Sequence, residues 1–164
     1  VDGLATVVVS LNNNIVGAGP MTIARVAPGL FSANANAAGV ASALLFRRRG
    51  GVDTLEPVVR FDTATSRFVP IPIDLGPASD ICYLVLYGTG IRNRTSAGNI
   101  SVSLRGASRP LNPAQFEDGF PAPGFVGLDQ VNVLAPRSLI GAGLINVSLT
   151  VDGQASNTVQ LLFQ

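Results

Sequence analysis

Apolar residues recur at every second position along most of this chain, and no long stretch repeats at the 3.6-residue period of a helix. Ile145, Val147, Leu149 and Val151 are apolar, while Asn146, Ser148 and Thr150 between them are polar. Such alternation turns one face of a strand to a core and the other to solvent. Asp152-Gly153 then supplies the left-handed backbone of a two-residue hairpin turn, and Val159, Leu161 and Phe163 carry the pattern back. Ile100, Val102 and Leu104 alternate with Ser101, Ser103 and Arg105 in the same way. Residues 81–87 are apolar at both parities, which predicts a central strand covered on each side. Gln130-Val131-Asn132-Val133 opens a further strand that ends before Pro136. With 18 glycines, 11 prolines and no amphipathic helix, the chain reads as an all-β sandwich.

The front half is patterned more loosely. Residues 41–46, 56–61 and 68–73 read as strands, and Arg47-Arg48-Arg49-Gly50-Gly51 as the loop after the first of them. Pro70 and Pro72 place the third strand at an edge, because proline donates nothing to a ladder. One internal echo stands out. The run Gly3-Leu4-Ala5-Thr6-Val7-Val8-Val9-Ser10-Leu11 with an Asn-rich turn resembles Gly143 to Val151 with Asp152-Gly153, and each is followed by a second alternating run. Two equivalent terminal hairpins suggest a unit cut from a tandem array, or a subunit that lends a strand to its neighbour. Residues 1–25 are therefore read as an N-terminal strand region and residues 26–164 as the sandwich domain.

Only 13% of the residues are charged, against 47% that are hydrophobic. That balance implies apolar surface consumed by contacts between subunits or domains. The longest apolar run is far too short for a membrane-spanning helix, so no membrane insertion is expected. A net charge of +1 nominates no nucleic-acid partner. All basic residues are Arg, so no Schiff-base lysine is available. The single cysteine, Cys82, lies in the most apolar strand and reads as a buried, inert thiol. No charged-then-apolar leader opens the chain, so it is expected to be the mature form of an exported protein, its signal removed.

Chemistry is thinly supplied. Without histidine there is no Ser-His-Asp or Cys-His nucleophile, and most catalytic zinc sites are excluded. Glu117, Asp118 and Asp129 are the only carboxylates near the Phe/Pro/Gly-rich segment; a glycosidase pair or a calcium site there ranks below simple solvation in a loop. No enzyme activity, cofactor or metal is expected. Arg47, Arg48 and Arg49 form either a solvated loop tip or a contact with a neighbouring subunit or a surface polysaccharide. Phe116, Phe120 and Phe125, set among prolines, form a staple over the sandwich end or an exposed docking knob. Gln130 and Asn132 share one face, as supports for buried backbone or as a polar binding strip. Gly88 and Gly90 flank Thr89 after the central strand and read as a corner rather than a phosphate cradle, since no helix pattern follows.

Three segments carry a family resemblance: Leu86-Tyr87-Gly88-Thr89-Gly90-Ile91-Arg92, the run from Gly124 through Leu134-Ala135-Pro136, and the run from Leu149 through Asp152-Gly153-Gln154 to Val159. With Val26-Ala27-Pro28-Gly29-Leu30-Phe31, they resemble the C-terminal domain family of large exported proteins of Solibacter-type acidobacteria. The resemblance implies an extracellular, immunoglobulin-like antiparallel β-sandwich, here with additional N-terminal strands, and no established activity. The expected function is that of an extracellular structural subunit that self-assembles into a filament or surface array by β-strand addition. Leu4, Thr6, Val7, Val8, Val9 and Leu11 would form the assembly interface. The competing expectation is a monomeric adhesion or carbohydrate-binding module, disfavoured by the absence of Trp and by the placement of Tyr83 and Tyr87, the only tyrosines, in a strand that reads as buried.

Overall fold

Strands form wherever the period-two pattern runs, and turns form where pairs of residues take positive φ. The computed structural model describes residues 2–115 and 117–164, so Phe116 lies outside the described residues. At the front, β1 (Gly3–Leu11) and β2 (Asn14–Ile23) form a two-stranded ribbon. After it come β3 (Gly29–Leu30), β4 (Ala43–Arg49), β5 (Val52–Pro57), β6 (Val59–Asp62), β7 (Arg67–Pro70) and β8 (Ile81–Thr89). The rest of the chain forms β9 (Ile100–Leu104), β10 (Ala107–Pro110), β11 (Asp118–Pro121), β12 (Asp129–Leu134), β13 (Gly143–Val151), β14 (Gln154–Ala155) and β15 (Val159–Phe163). Among the described residues there is no α-helix, only 3₁₀ turns at Pro113–Gln115 and Arg137–Leu139.

Two larger antiparallel sheets make the body. One runs β11–β12–β8–β4–β5, with β3 pairing the end of β8; the other runs β10–β9–β13, and β14 and β15 share the far edge of β13. Their inward side chains enter one buried cluster. Leu45, Leu84, Leu86, Val131 and Val133 come from the first sheet, and Val102, Val147, Leu149, Val159 and Leu161 from the second. The chain is thus all-β, in an arrangement consistent with a β-sandwich. β6 and β7 form a separate ribbon in which Phe61 meets Phe68 edge-on, 5.4 Å between ring centres.

The structure corrects several sequence expectations. Arg47, Arg48 and Arg49 are not loop residues: they end β4, and Gly50-Gly51 alone makes the turn, with φ of 57° and 83°. The strand expected over residues 56–61 is divided at Val58, which is buried while β5 stays in the large sheet and β6 joins the small ribbon. Arg105-Gly106, with φ of 55° and 83°, makes a hairpin turn to β10, a strand that the pattern did not announce. β8 is central, between β12 and β4; its inner face is buried along its length, and its outer face is buried at Val85 but not beyond. Ile81 on the outer face is exposed, and Tyr83 and Tyr87 are half-buried rather than buried.

The passage from ribbon to body is tightly held. Ala27 donates its N–H to the Gly90 carbonyl at 3.1 Å and Phe31 to the Tyr87 carbonyl at 2.9 Å. Asn157 Oδ1 accepts from Leu30 N at 2.7 Å, and its Nδ2 donates to the carbonyls of Leu30 at 2.9 Å and Ala37 at 2.7 Å. Gly90 has φ +73°, and a Cβ there would overlap the Ala27 carbonyl; one on Gly88 would overlap the carbonyl of Gly29. The corner read from these glycines is thus a backbone-on-backbone crossing that no side chain fits.

Candidate assembly interface

No charged residue lies between Asp2 and Arg25. In β1 and β2 every residue except Ala5 and Gly19 is exposed. Leu4 is 79% exposed, Ile15 70% and Leu11 64%, with Val7, Val8, Val9, Val16, Met21 and Ile23 also open. Side chains of this kind on a lone ribbon leave apolar surface in water, and isolated two-stranded hairpins are marginal at best. Leu4, Thr6, Val8 and Ser10 lie on one face. Ala5, Val7, Val9 and Leu11 lie on the other, together with their cross-strand neighbours Met21 and Ile23. All six residues expected at an assembly interface therefore lie on β1, split three and three between its faces. β1 is paired along one edge with β2 of its own chain, so it stands ready as half of a hairpin rather than as a single free strand.

The echo in the sequence becomes a match in register. β1 pairs β2 as Gly3↔Ile23, Leu4↔Thr22, Ala5↔Met21, Thr6↔Pro20 and Val7↔Gly19. β13 pairs β15 as Gly143↔Phe163, Leu144↔Leu162, Ile145↔Leu161, Asn146↔Gln160 and Val147↔Val159. Near the turns the pairs are Ser10↔Ile15 with Leu11↔Asn14, and Thr150↔Ala155 with Val151↔Gln154. Residues 3–23 thus correspond in register to 143–163 without insertion or deletion, and in both hairpins the register changes by one residue on the returning strand. The turns agree as well: Asn12 and Asn13 have φ of 49° and 63°, Asp152 and Gly153 of 47° and 80°. The environments differ completely. Ile145, Val147, Leu149, Val151, Val159, Leu161 and Phe163 are all buried in the body, whereas their counterparts in the ribbon are open, apart from the half-buried Ala5 and Gly19.

The arginine cluster is engaged within its own chain. Arg47 donates from Nε to Glu56 Oε1 at 2.7 Å, from Nη1 to Asp80 Oδ2 at 2.9 Å and from Nη2 to the Asp74 carbonyl at 2.6 Å. Arg49 reaches Asp80 Oδ2 at 2.6 Å, and Arg48 grips both oxygens of Asp53 at 2.6 and 2.7 Å. The Glu56 hydrogen bond holds the Arg47 guanidinium above its ordinary pKa against the pull of burial, and Arg49 together with Arg47 holds Asp80 below the usual carboxylate range. The three carboxylates near the Phe/Pro segment are likewise each taken by a separate arginine. Glu117 pairs with Arg109, Asp118 with Arg94 and Asp129 with Arg92. Glu117 and Asp129 are buried, not solvated as their loop-like context suggested, and together the three make no shared cation cage. Phe120 is half-buried on β11 beside Gln130, while Phe125 is 65% exposed in the following loop.

A second surface lies on the outer face of the larger sheet. Phe46, Leu55, Tyr83, Tyr87, Gln130 and Asn132 line an open groove of about 530 Å³. Phe46 and Tyr83 are tilted rings 6.1 Å apart. Gln130 Nε2 donates to Asn132 Oδ1 at 2.9 Å, which leaves one amide acceptor and one amide donor side by side facing the groove. Sequence reasoning noted the shared face of the two amides but not the tyrosines beside them, since cross-strand neighbours are set by sheet order. Cys82, on the inner side of the same strand, is buried, and burial pushes its thiol pKa up. Among the described residues no helix is long and apolar enough to cross a membrane. Comparison with protein-family models, with curated proteins and with solved structures returned no match to this chain.

Proposed function

We propose that this chain is an extracellular structural unit of immunoglobulin-like design, of the Solibacter-type kind that its motifs resemble, and that its work is cohesion. The exposed ribbon β1–β2 is the joint: β-structure of another unit covers its open edge and apolar face, as in recognition by strand addition. One observation carries this reading. An uncharged hairpin stands in water although its register-matched twin in the body is buried. Burying its aliphatic side chains is worth roughly 25 cal/mol per Å² of apolar surface, which favours association of any two such ribbons. Light scattering on the intact chain is expected to show concentration-dependent association, and removal of residues 2–24 is expected to leave a folded monomer. A strictly monomeric intact chain, or association that survives the deletion, would overturn the proposal.

The groove favours a second reading, attachment to a neutral surface polysaccharide. Rings beside paired amides suit the apolar faces and vicinal hydroxyls of a sugar. Arg48 is already occupied by Asp53, so the groove offers no free charge for an anionic glycan. Tyr83 and Tyr87 are the only tyrosines in a chain without tryptophan, so intrinsic emission reports on this groove alone. Saturable change in that emission on titration with neutral hexasaccharides, abolished by Tyr87→Ala, is the expected result for this reading. No change across β-1,4- and β-1,3-glucans, mannan and xylan oligomers would remove it.

A further inference from the structure

We infer that the ribbon is the closing hairpin of another β-sandwich of the same design, one whose remaining strands precede it in a longer polypeptide. The inference starts from the same exposed ribbon as the cohesion reading and goes beyond it, naming what covers that ribbon within one polypeptide. The body itself shows what covers this motif. The edge of β13 away from β15 is paired by β9, as Val147↔Leu104, Leu149↔Val102 and Val151↔Ile100. The edge of β15 away from β13 is bridged in parallel by Val40 at Gln160 and by Ile73 at Phe163. The inward face of the hairpin meets the opposite sheet in the shared core. Carried onto the ribbon, these contacts ask for a strand along Val7–Val9–Leu11, bridges at Pro20 and Ile23, and a facing sheet over Ala5, Val7, Val9, Leu11, Met21 and Ile23.

A second folded copy of this chain cannot meet that demand. The matching place in the copy is already filled by its own β13 to β15, whose Val147, Val159 and Leu161 are wholly buried. Opening it would cost the copy its core. An upstream unit lacking only its last two strands has the vacancy, and a chain leaving that vacancy runs directly into Val26. The substitutions between the two hairpins describe the missing unit. Ala5 stands for Ile145 and Gly19 for Val159, so the facing sheet there supplies bulkier side chains. Pro20 stands for Gln160, whose N–H donates to the Gly39 carbonyl at 2.7 Å, so that one bond is absent upstream. On the outward face Leu4 matches Leu144, and Thr6 and Ser10 match Asn146 and Thr150, while Val8 stands for Ser148; the two outward faces thus agree in character except at Val8.

The test is a fusion that places residues 26–142 directly ahead of Gly3 of the chain, reproducing the Ala142-Gly143 junction. The ribbon then closes a first sandwich and leads into the second. A companion fusion carries Ala5→Ile and Gly19→Val, which refills the space those small residues leave. Amide exchange of residues 4–11 is expected to slow by about a thousand-fold or more in the companion relative to the unfused chain, and by a smaller factor in the parent fusion. Exchange as fast as in the unfused chain in both fusions would overturn the inference. If that occurs while deletion of residues 2–24 still abolishes association, the cohesion reading stands and only this partner is wrong. Protection in the fusions with no association of the unfused chain would sustain this partner and remove cohesion between separate molecules.

Discussion

Glu117 is the most demanding single residue in the body. Its carboxylate is fully buried and accepts from Arg109 Nη1 at 2.8 Å, from Asn112 N at 2.9 Å and from Leu134 N at 2.7 Å. Burial pushes its pKa up, but the arginine and the two backbone donors outweigh it and hold the group below the ordinary carboxylate range. Glu117→Ala strands those donors and is expected to cost about 3 kcal/mol, readable as a lowered urea midpoint. A depressed carboxylate stabilises fully above its unfolded value, roughly 4.3, and that contribution is lost as pH falls through the folded value. Glu56, with its pKa lowered chiefly by Arg47, behaves the same way. The chain has no histidine, so stability is expected to be level between about pH 5.5 and 8 and to fall below about pH 4.5. A maximum inside the level range would contradict this. Gly90→Ala, forced against the Ala27 carbonyl at positive φ, is expected to cost about 2 kcal/mol or more in the same assay. The sequence located Glu117, Asp118 and Asp129 and missed their arginines. Those ion pairs join residues whose distance in space is decided by the fold: Arg92 meets Asp129 across 37 positions.

Among the elements, the hairpins were the most readable part of the chain. Alternation and the dipeptide Asp152-Gly153 are local, and local chemistry fixes both the turn and the pairing beside it. The arginine run misled because three adjacent charges look like a loop. In fact Arg47 turns inward to Glu56 and Asp80 while Arg48 turns outward to Asp53, which is strand alternation carried by charged residues. The ribbon β1–β2 contributes little to the core, since its residues are open. Removing residues 2–24 is therefore expected to shift the melting temperature of the body by less than about 2 °C, by calorimetry at a concentration where both forms are monomeric. A larger loss would mean that the ribbon stabilises the sandwich beyond what its exposure allows. Asn157→Ala, by contrast, releases three hydrogen bonds that pin residues 30 and 37, and is expected to cost about 1–2 kcal/mol.

At the level of the whole molecule, the all-β class was legible and the sheet order was not. β8 pairs with β12, β4 and β3, partners far away along the chain, and nothing in residues 81–87 names them. The same gap hid the groove, because Tyr87 faces Gln130 only once β8 and β12 are neighbours. It also explains why a strand apolar at both parities is not covered throughout on both sides: the outer face is buried at Val85, half-buried at both tyrosines and open at Ile81. The glycine crossing has a mechanical meaning. Val26 is already buried in the body and Ile23 still belongs to β2, so only Ala24 and Arg25 are left as a tether. Fully extended, two residues span about 7 Å. If the ribbon closes a preceding bead, as proposed, so short a thread leaves almost no slack, and tension on one bead would be handed to the next with little unreeling between them.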